Sequence, residues 1–257
     1  MRRPAPAPYP TFQSWRAVRR FYSGWASVLN VVPMGKRAKT RYAAFVFVGH
    51  YAPSFALRQS GGVPLWVLFL AAQFVDVLWS IFIMTGIEQV RIVPGFTASS
   101  PLDLYYMPYT HSLTASVAWA VILGGLGSLV WKRRGGLAIG ACVLAHWVLD
   151  LLVHVPDLPL YGDRFKVGLG LWDHLIVAFV LEAGVLLIGV AIYARYARSA
   201  RAIWIFGFIL LAIQYGNLLV PLPESPVQLG AMALASYLAF AGAAWFVEDK
   251  WGKPART

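Results

Sequence analysis

Long apolar stretches, separated by short polar segments, run along most of this chain. A transmembrane helix needs roughly 20 predominantly apolar residues. We place spans of about this length at residues 63–86, 109–131, 136–154, 171–194, 203–221 and 227–247. Another apolar segment, 42–57, is shorter and contains Pro53, so we interpret it as a tilted span, a half-span or a helix packed inside the bundle. The pattern predicts an all-α fold, a polytopic transmembrane helix bundle of six to seven apolar helices.

The composition agrees with a membrane environment. Of the 257 residues, 59% are hydrophobic and only 13% are charged, about half the charged share of a soluble domain. The net charge of +11 comes from basic residues next to apolar segments, so we expect it to face anionic membrane lipids and expect no nucleic-acid partner. A single cysteine, Cys142, excludes an intrachain disulfide, so helix packing must stabilise the fold.

Charge and hydropathy divide the chain into three parts. Residues 1–41 form a basic, Pro-rich N-terminal arm, 42–250 a transmembrane domain, and 251–257 a short basic tail. In the arm, apolar residues recur at three- or four-residue spacing, which is typical of an amphipathic helix on the membrane surface. These residues are Trp15, Val18, Tyr22, Trp25 and Val28. The competing interpretation is an arm that binds a protein partner.

Basic loops predict the orientation, because Lys and Arg in short loops favour the cytoplasmic side. If the six long spans alternate, the basic loops 132–134, 195–201 and 250–256 share one side. We therefore expect a multi-pass protein of the bacterial inner (plasma) membrane with a cytoplasmic C-terminus. The N-terminal arm is also cytoplasmic if segment 42–57 does not cross, which is the arrangement we favour.

One predicted span carries a row of ionisable side chains. His146, Asp150 and His154 follow each other at four-residue spacing, which places them on one helix face, and Asp157 continues the row. Ionisable groups inside a bilayer are costly and therefore mark functional sites. Imidazole nitrogen and carboxylate oxygen are ligands that Zn²⁺ accepts. The row predicts a divalent-metal site, and a structural hydrogen-bonded pair is the alternative.

Further His and Asp residues fall near the outer side of the predicted bundle. These are His50, Asp76 and His111, with Asp103 in an outer loop. Taken alone, His50 and His111 are better explained as satisfied polar residues, and only the neighbouring His and Asp residues make a metal-binding role equally plausible. Asp76 is equally well explained as an interhelical hydrogen-bond hub. If the site is catalytic, we expect the general base to be Asp157, Asp103 or His154.

Four short motifs resemble the YdjM-like bacterial inner-membrane proteins, a family described as metal-dependent hydrolases. They are Gly49-His50, Asp76 in a following span, Tyr109-Thr110-His111-Ser112 and His146-Trp147-Val148-Leu149-Asp150. The pattern is also similar to that of all-helical zinc-dependent phospholipase C and nuclease folds, and it covers roughly residues 44–185. The resemblance, to a divergent subgroup, implies a metal site formed by His50, Asp76, His111, His146 and Asp150.

The chain departs from the family in its second helix. The family has an Asp-rich PDxDH motif there, whereas this chain has Phe74-Val75-Asp76-Val77-Leu78-Trp79, which retains one acidic residue. A single carboxylate implies either a site for one ion or a loss of activity.

These observations favour a membrane protein with a buried divalent-metal site, with Zn²⁺ as the expected ion, that opens to the outer face. The expected activity is hydrolysis of an ester or phosphoester, with lipid-like substrates because the site lies at membrane depth. Two alternatives remain: a non-catalytic accessory subunit of a larger membrane complex, and a proton- or ion-handling transport protein.

Overall fold

A computed structural model describes residues 47–252. The predicted N-terminal arm, residues 1–41, and most of the predicted tail lie outside the described residues. The described part is mostly helical. Its helices are α1 (Ala52–Leu57), α2 (Leu65–Ala72), α3 (Phe74–Thr85), α4 (Leu113–Val153), α5 (Leu175–Ala194), α6 (Ala200–Asn217) and α7 (Pro226–Val247). One antiparallel sheet pairs β1 (Gln89–Ile92) with β2 (Leu102–Tyr106).

The helices confirm the all-α membrane architecture but not the predicted number of spans. Within the described residues, α4, α5, α6 and α7 are long and apolar enough to cross a membrane, and the bent pair of α2 and α3 makes a fifth candidate. The prediction of six to seven spans is therefore not confirmed by length and composition. Large apolar side chains face outwards, for example Leu129, which is 82% exposed, and Ile176, which is 72% exposed. Such exposure suits lipid better than water.

Helix α4 is a hairpin of two helical arms. Its backbone leaves helical geometry at Trp131 and Lys132, where Lys132 adopts a φ of 58°. A Cβ added at Gly136 would collide with the carbonyl oxygen of Gly124, although a straight helix would hold these residues about 18 Å apart. The arms thus pack against each other through glycine, and they correspond to the two predicted spans 109–131 and 136–154.

The predicted span 63–86 is broken at Gln73. Helices α2 and α3 meet there at an angle of 53°. The carbonyl oxygen of Ala72, just before the break, lies 2.7 Å from Nδ1 of His146. Helices bend where a side chain inserts into the backbone hydrogen-bond ladder, and this contact accounts for the bend.

The described part of the first apolar segment is too short to cross a bilayer. A 3₁₀ turn, Val48–Tyr51, continues into α1, and together they extend about 15 Å, half the hydrocarbon thickness. The side chain of Gln214 on α6 accepts hydrogen bonds from the backbone N–H groups of Phe47 and Val48, at 3.0 and 2.8 Å. These bonds satisfy the backbone donors at the start of the turn.

The segment 87–108, between the first two long predicted spans, contains the sheet. Residues Leu102 and Leu104 of β2 are buried and belong to the same apolar cluster as Trp79 on α3 and Trp172. The sheet therefore packs over one end of the helices, next to the cluster of histidines described below.

Candidate metal centre

Four of the chain's five histidines direct one ring nitrogen towards the same two carboxylates. The histidines are His50, His111, His146 and His154, and the carboxylates belong to Asp76 and Asp150. Five of these side chains are 5% exposed or less, and that of Asp76 is 16% exposed. Five of the six were candidate metal ligands from the sequence, and the structure brings all five together.

Asp150 lies at the centre of the cluster. Its Oδ1 lies 3.0 Å from Nε2 of His50 and 3.5 Å from Nε2 of His154. Its Oδ2 lies 3.2 Å from Nε2 of His146 and 3.8 Å from Nε2 of His111. Among the described residues, no donor makes a hydrogen bond to this Oδ2. A buried carboxylate oxygen without a donor is costly unless a cation balances it.

Asp76 closes the cluster from the opposite side. Its Oδ1 lies 3.2 Å from Nε2 of His111 and 3.7 Å from Nε2 of His146. Its Oδ2 accepts a hydrogen bond of 2.9 Å from the hydroxyl of Tyr237 on α7. Because of the bend at Gln73, α3 begins next to the cluster, and its first turn brings the Asp76 carboxylate to the histidines.

The outer nitrogens of two histidines are held by backbone carbonyls. Nδ1 of His50 lies 3.0 Å from the carbonyl oxygen of Phe47, and Nδ1 of His146 lies 2.7 Å from that of Ala72. A carbonyl oxygen only accepts hydrogen bonds, so each Nδ1 carries the proton. In a neutral imidazole, Nε2 is then a bare acceptor.

Side chains hold the other two histidines in the same way. Nδ1 of His154 lies 2.9 Å from Oδ1 of Asp157. Nδ1 of His111 lies 2.7 Å from the hydroxyl oxygen of Thr110, which donates to Oε2 of Glu88 at 2.6 Å. Since the Thr110 proton goes to Glu88, the hydroxyl accepts from His111, whose Nδ1 therefore also carries the proton.

The hydrogen bonds thus turn four Nε2 atoms inwards, towards carboxylate oxygens. A bare nitrogen and a carboxylate oxygen are both acceptors and repel each other unless a proton or a metal ion lies between them. Metal-bound histidines almost always anchor their other nitrogen on a carbonyl or carboxylate. In tetrahedral Zn²⁺ sites, neighbouring ligand atoms lie about 3.3 Å apart. The observed separations of 3.0 to 3.8 Å bracket that value.

In the absence of a metal, protons balance the cluster. Burial alone would lower the pKa of His154, but the carboxylates of Asp150 and Asp157 outweigh burial and raise it to about 10. Burial opposes protonation of His111 too, and the hydrogen bond to Asp76 with the nearby carboxylates raises its pKa above the usual 6.5. The cluster attracts positive charge strongly.

Two overlapping sets of ligand atoms are compact enough to hold an ion. The sets are His50, His146 and Asp150, and Asp76, His111 and His146, each with its ligand atoms within 4.8 Å of one another. Both sets include His146, and its single Nε2 could coordinate only one ion. The donors, neutral nitrogen and carboxylate oxygen, fit Zn²⁺.

The three predicted general bases have different surroundings. His154 is the first residue after α4, with an extended backbone, so Asp157 does not continue the helical row as predicted. Asp157 instead reaches His154 through the turn that follows, and both are buried. Asp103 lies on β2, where it forms a 3.0 Å ion pair with Arg91 of β1.

Glu88 and Tyr237 contact the site residues but were not predicted from the sequence. Glu88 is 1% exposed and also accepts hydrogen bonds from the backbone N–H groups of Tyr109 and Thr110. It lies just after α3, where a charged loop residue gave no signal of burial. Tyr237 lies in the last predicted span, where a tyrosine among apolar residues gave no signal of its contact with Asp76.

A cavity of about 320 Å³ borders the cluster. The polar residues at one end are His50, Asp76, His111, Asp150 and His154, and the remaining walls are largely apolar. The cavity would give a substrate access to His50, His111 and His154, which line it.

Comparisons with known proteins give no assignment. No family model, no curated protein and no solved structure matches the chain.

Proposed function

We propose that this chain is a membrane-bound metal-dependent hydrolase that cleaves an ester or phosphoester at the histidine–aspartate cluster. The observation that carries the proposal is the common orientation of four histidines, each anchored through Nδ1 with Nε2 facing a carboxylate. We further propose Zn²⁺ as the ion, because this donor set suits it. The convergence of five residues named by the resemblance supports a relationship to the YdjM-like family.

The ligands of the ion would come from His50, Asp76, His111, His146 and Asp150, with His146 common to both possible sets. When bound, a divalent ion lowers the pKa of a water molecule and polarises an ester or phosphoester oxygen. The protein's own contribution is to fix the ligands: Thr110 and the carbonyls of Phe47 and Ala72 orient the rings. The apolar cavity walls exclude bulk water from the cluster.

His154 is the proposed general base. It lines the cavity, and Asp157 fixes its ring from behind, at 2.9 Å from Nδ1. The bare Nε2 can accept a proton from a water molecule in the cavity. A nearby cation opposes protonation, so metal binding would favour the neutral form of His154, which can accept a proton. Asp103 is paired with Arg91 and has no role in this proposal.

We propose six crossings, in which each arm of the α4 hairpin crosses separately. The arms extend about 27 and 30 Å, which suits a bilayer of about 30 Å. Basic residues of the hairpin turn, of the α5–α6 connection and of the C-terminal end then face the cytoplasm of a bacterial cell, and the sheet faces outwards.

Hydrolysis by the full-length purified protein tests the proposal. We would incubate it in detergent with chromogenic carboxylate esters, phosphomonoesters and phosphodiesters, before and after chelation. We expect hydrolysis of at least one class, lost on chelation and restored by Zn²⁺. His154→Ala should lower kcat by about 10²- to 10⁴-fold, the usual contribution of a general base.

The remaining histidine supplies a matched control. His174 belongs to neither ligand set, so His174→Ala should retain wild-type activity. A folded, zinc-loaded protein that cleaves none of the three classes would refute the hydrolase proposal and favour an accessory or proton-handling role.

A further inference from the structure

The largely apolar part of the cavity follows the first two thirds of α7. Its side chains recur at three- or four-residue spacing and form one stripe: Leu229, Met232, Ala233, Ser236, Tyr237 and Phe240. The stripe extends about 16 Å along the helix axis. Tyr237 also contacts Asp76, so the stripe is continuous with the metal centre.

The facing wall comes from the end of α6. Ile213 and Asn217 line it, and Val220 and Pro223 follow in the α6–α7 connection. Although α6 and α7 are consecutive, α7 packs mainly against α2 and α3. Ile213 on α6 remains 38% exposed and Met232 on α7 remains 40% exposed. The cavity is therefore not sealed between these two helices.

Both helices that flank this opening are candidate membrane spans. Their outward faces are apolar, as shown by Phe208 on α6 and Leu238 on α7, which are 55% and 53% exposed. The walls of this part of the cavity are largely apolar, and the solvent around membrane-spanning helices is hydrocarbon. The opening thus gives membrane chains, rather than water-soluble groups, access to the cavity.

We propose that this stripe binds the hydrocarbon chain of a single-chain membrane amphiphile, with the ester or phosphoester head at the metal centre. The inference rests on the proposed function and names its substrate class. One cavity with a polar end and an apolar end matches an amphiphile. Its volume of about 320 Å³ is at the small end of ligand pockets, which suits one chain rather than two.

Photolabelling of the full-length protein tests the chain site without turnover. The probe is dodecyl phosphate with a diazirine at the chain terminus, used in digitonin with the metal bound and with the metal chelated. We expect labels on α6 and on the α7 stripe. Excess dodecyl phosphate should reduce labelling at least about tenfold and butyl phosphate should not, because the two differ by eight methylenes.

Two alanines on α7 provide matched variants. Ala233 lines the cavity, whereas Ala239 is exposed on the helix surface and does not line it. Ala233→Trp should fill the cavity and abolish the competed labelling, and Ala239→Trp should leave it unchanged. If Ala233→Trp does not fold, the competition between dodecyl phosphate and butyl phosphate in the wild type still tests whether the stripe binds a hydrocarbon chain.

The outcomes separate this inference from the proposed function. Labels spread over the outer faces of the helices, insensitive to Ala233→Trp and to dodecyl phosphate, would show only surrounding lipid and overturn the chain site. Metal-dependent hydrolysis without labels on α6 and α7 would also overturn it while the hydrolase function stands. Competed labelling of the stripe in a protein without hydrolase activity would support the chain site and refute the function.

Discussion

Replacement of Thr110 by valine should weaken metal binding, although Thr110 is not itself a proposed metal ligand. Its hydroxyl accepts from Nδ1 of His111 at 2.7 Å and donates to Glu88 at 2.6 Å. Valine has nearly the same shape but removes both bonds, so Nδ1 of His111 loses the partner that holds its proton and helps to orient the ring. Loss of such a partner typically costs about 10- to 100-fold in metal affinity, or about 1.4 to 2.7 kcal/mol.

Competition with a chromophoric zinc chelator would measure this change in detergent-purified protein. Thr114 is the matched control, because it is exposed and its hydroxyl does not contact a histidine, so Thr114→Val should retain wild-type affinity. Equal zinc affinities for Thr110→Val and the wild type would refute the reasoning that Nδ1 anchors prepare the site. Thermal unfolding of both variants would check that each remains folded.

Two other properties follow from the described geometry. Zinc affinity should fall as pH decreases, because the carboxylates raise the pKa of His111 and the metal must displace its proton. The same chelator competition would measure the zinc dissociation constant between pH 8 and pH 6. A dissociation constant that does not change with pH would contradict this prediction. In the α4 hairpin, Gly136→Ala should destabilise the protein by about 1 to 3 kcal/mol through overpacking. Gly125→Ala should not destabilise the protein, because a Cβ at Gly125 meets nothing within 4 Å. Equal unfolding temperatures for Gly136→Ala and Gly125→Ala would contradict the hairpin packing.

The sequence predicted the part of the site that depends on helical spacing. His146 and Asp150 are one turn apart on the second arm of α4, and this spacing brings their side chains together. The contributions of Asp76 and His111 depend on a bent helix and on a loop before α4, which no spacing rule predicts. Their place in the site was expected from the family resemblance, and the structure brings them to the cluster.

The supporting contacts could not be predicted from local patterns. Glu88 and Thr110 are separated by more than twenty residues, and their hydrogen bond depends on how the sheet packs over the helices. The number of spans was also hard to predict, because apolar length alone does not distinguish a straight helix from the α4 hairpin or from the bent pair α2 and α3. Tertiary packing determines each of these features.

Metal content tests the central claim most directly. The measurement is inductively coupled plasma mass spectrometry of the purified wild type, His146→Ala and His174→Ala, since His146 belongs to both ligand sets and His174 to neither. We predict about one Zn²⁺ per chain, as in a mononuclear site, in the wild type and in His174→Ala, with little or none in His146→Ala. A folded wild type without metal, or full retention of zinc by His146→Ala, would contradict the metal centre described above.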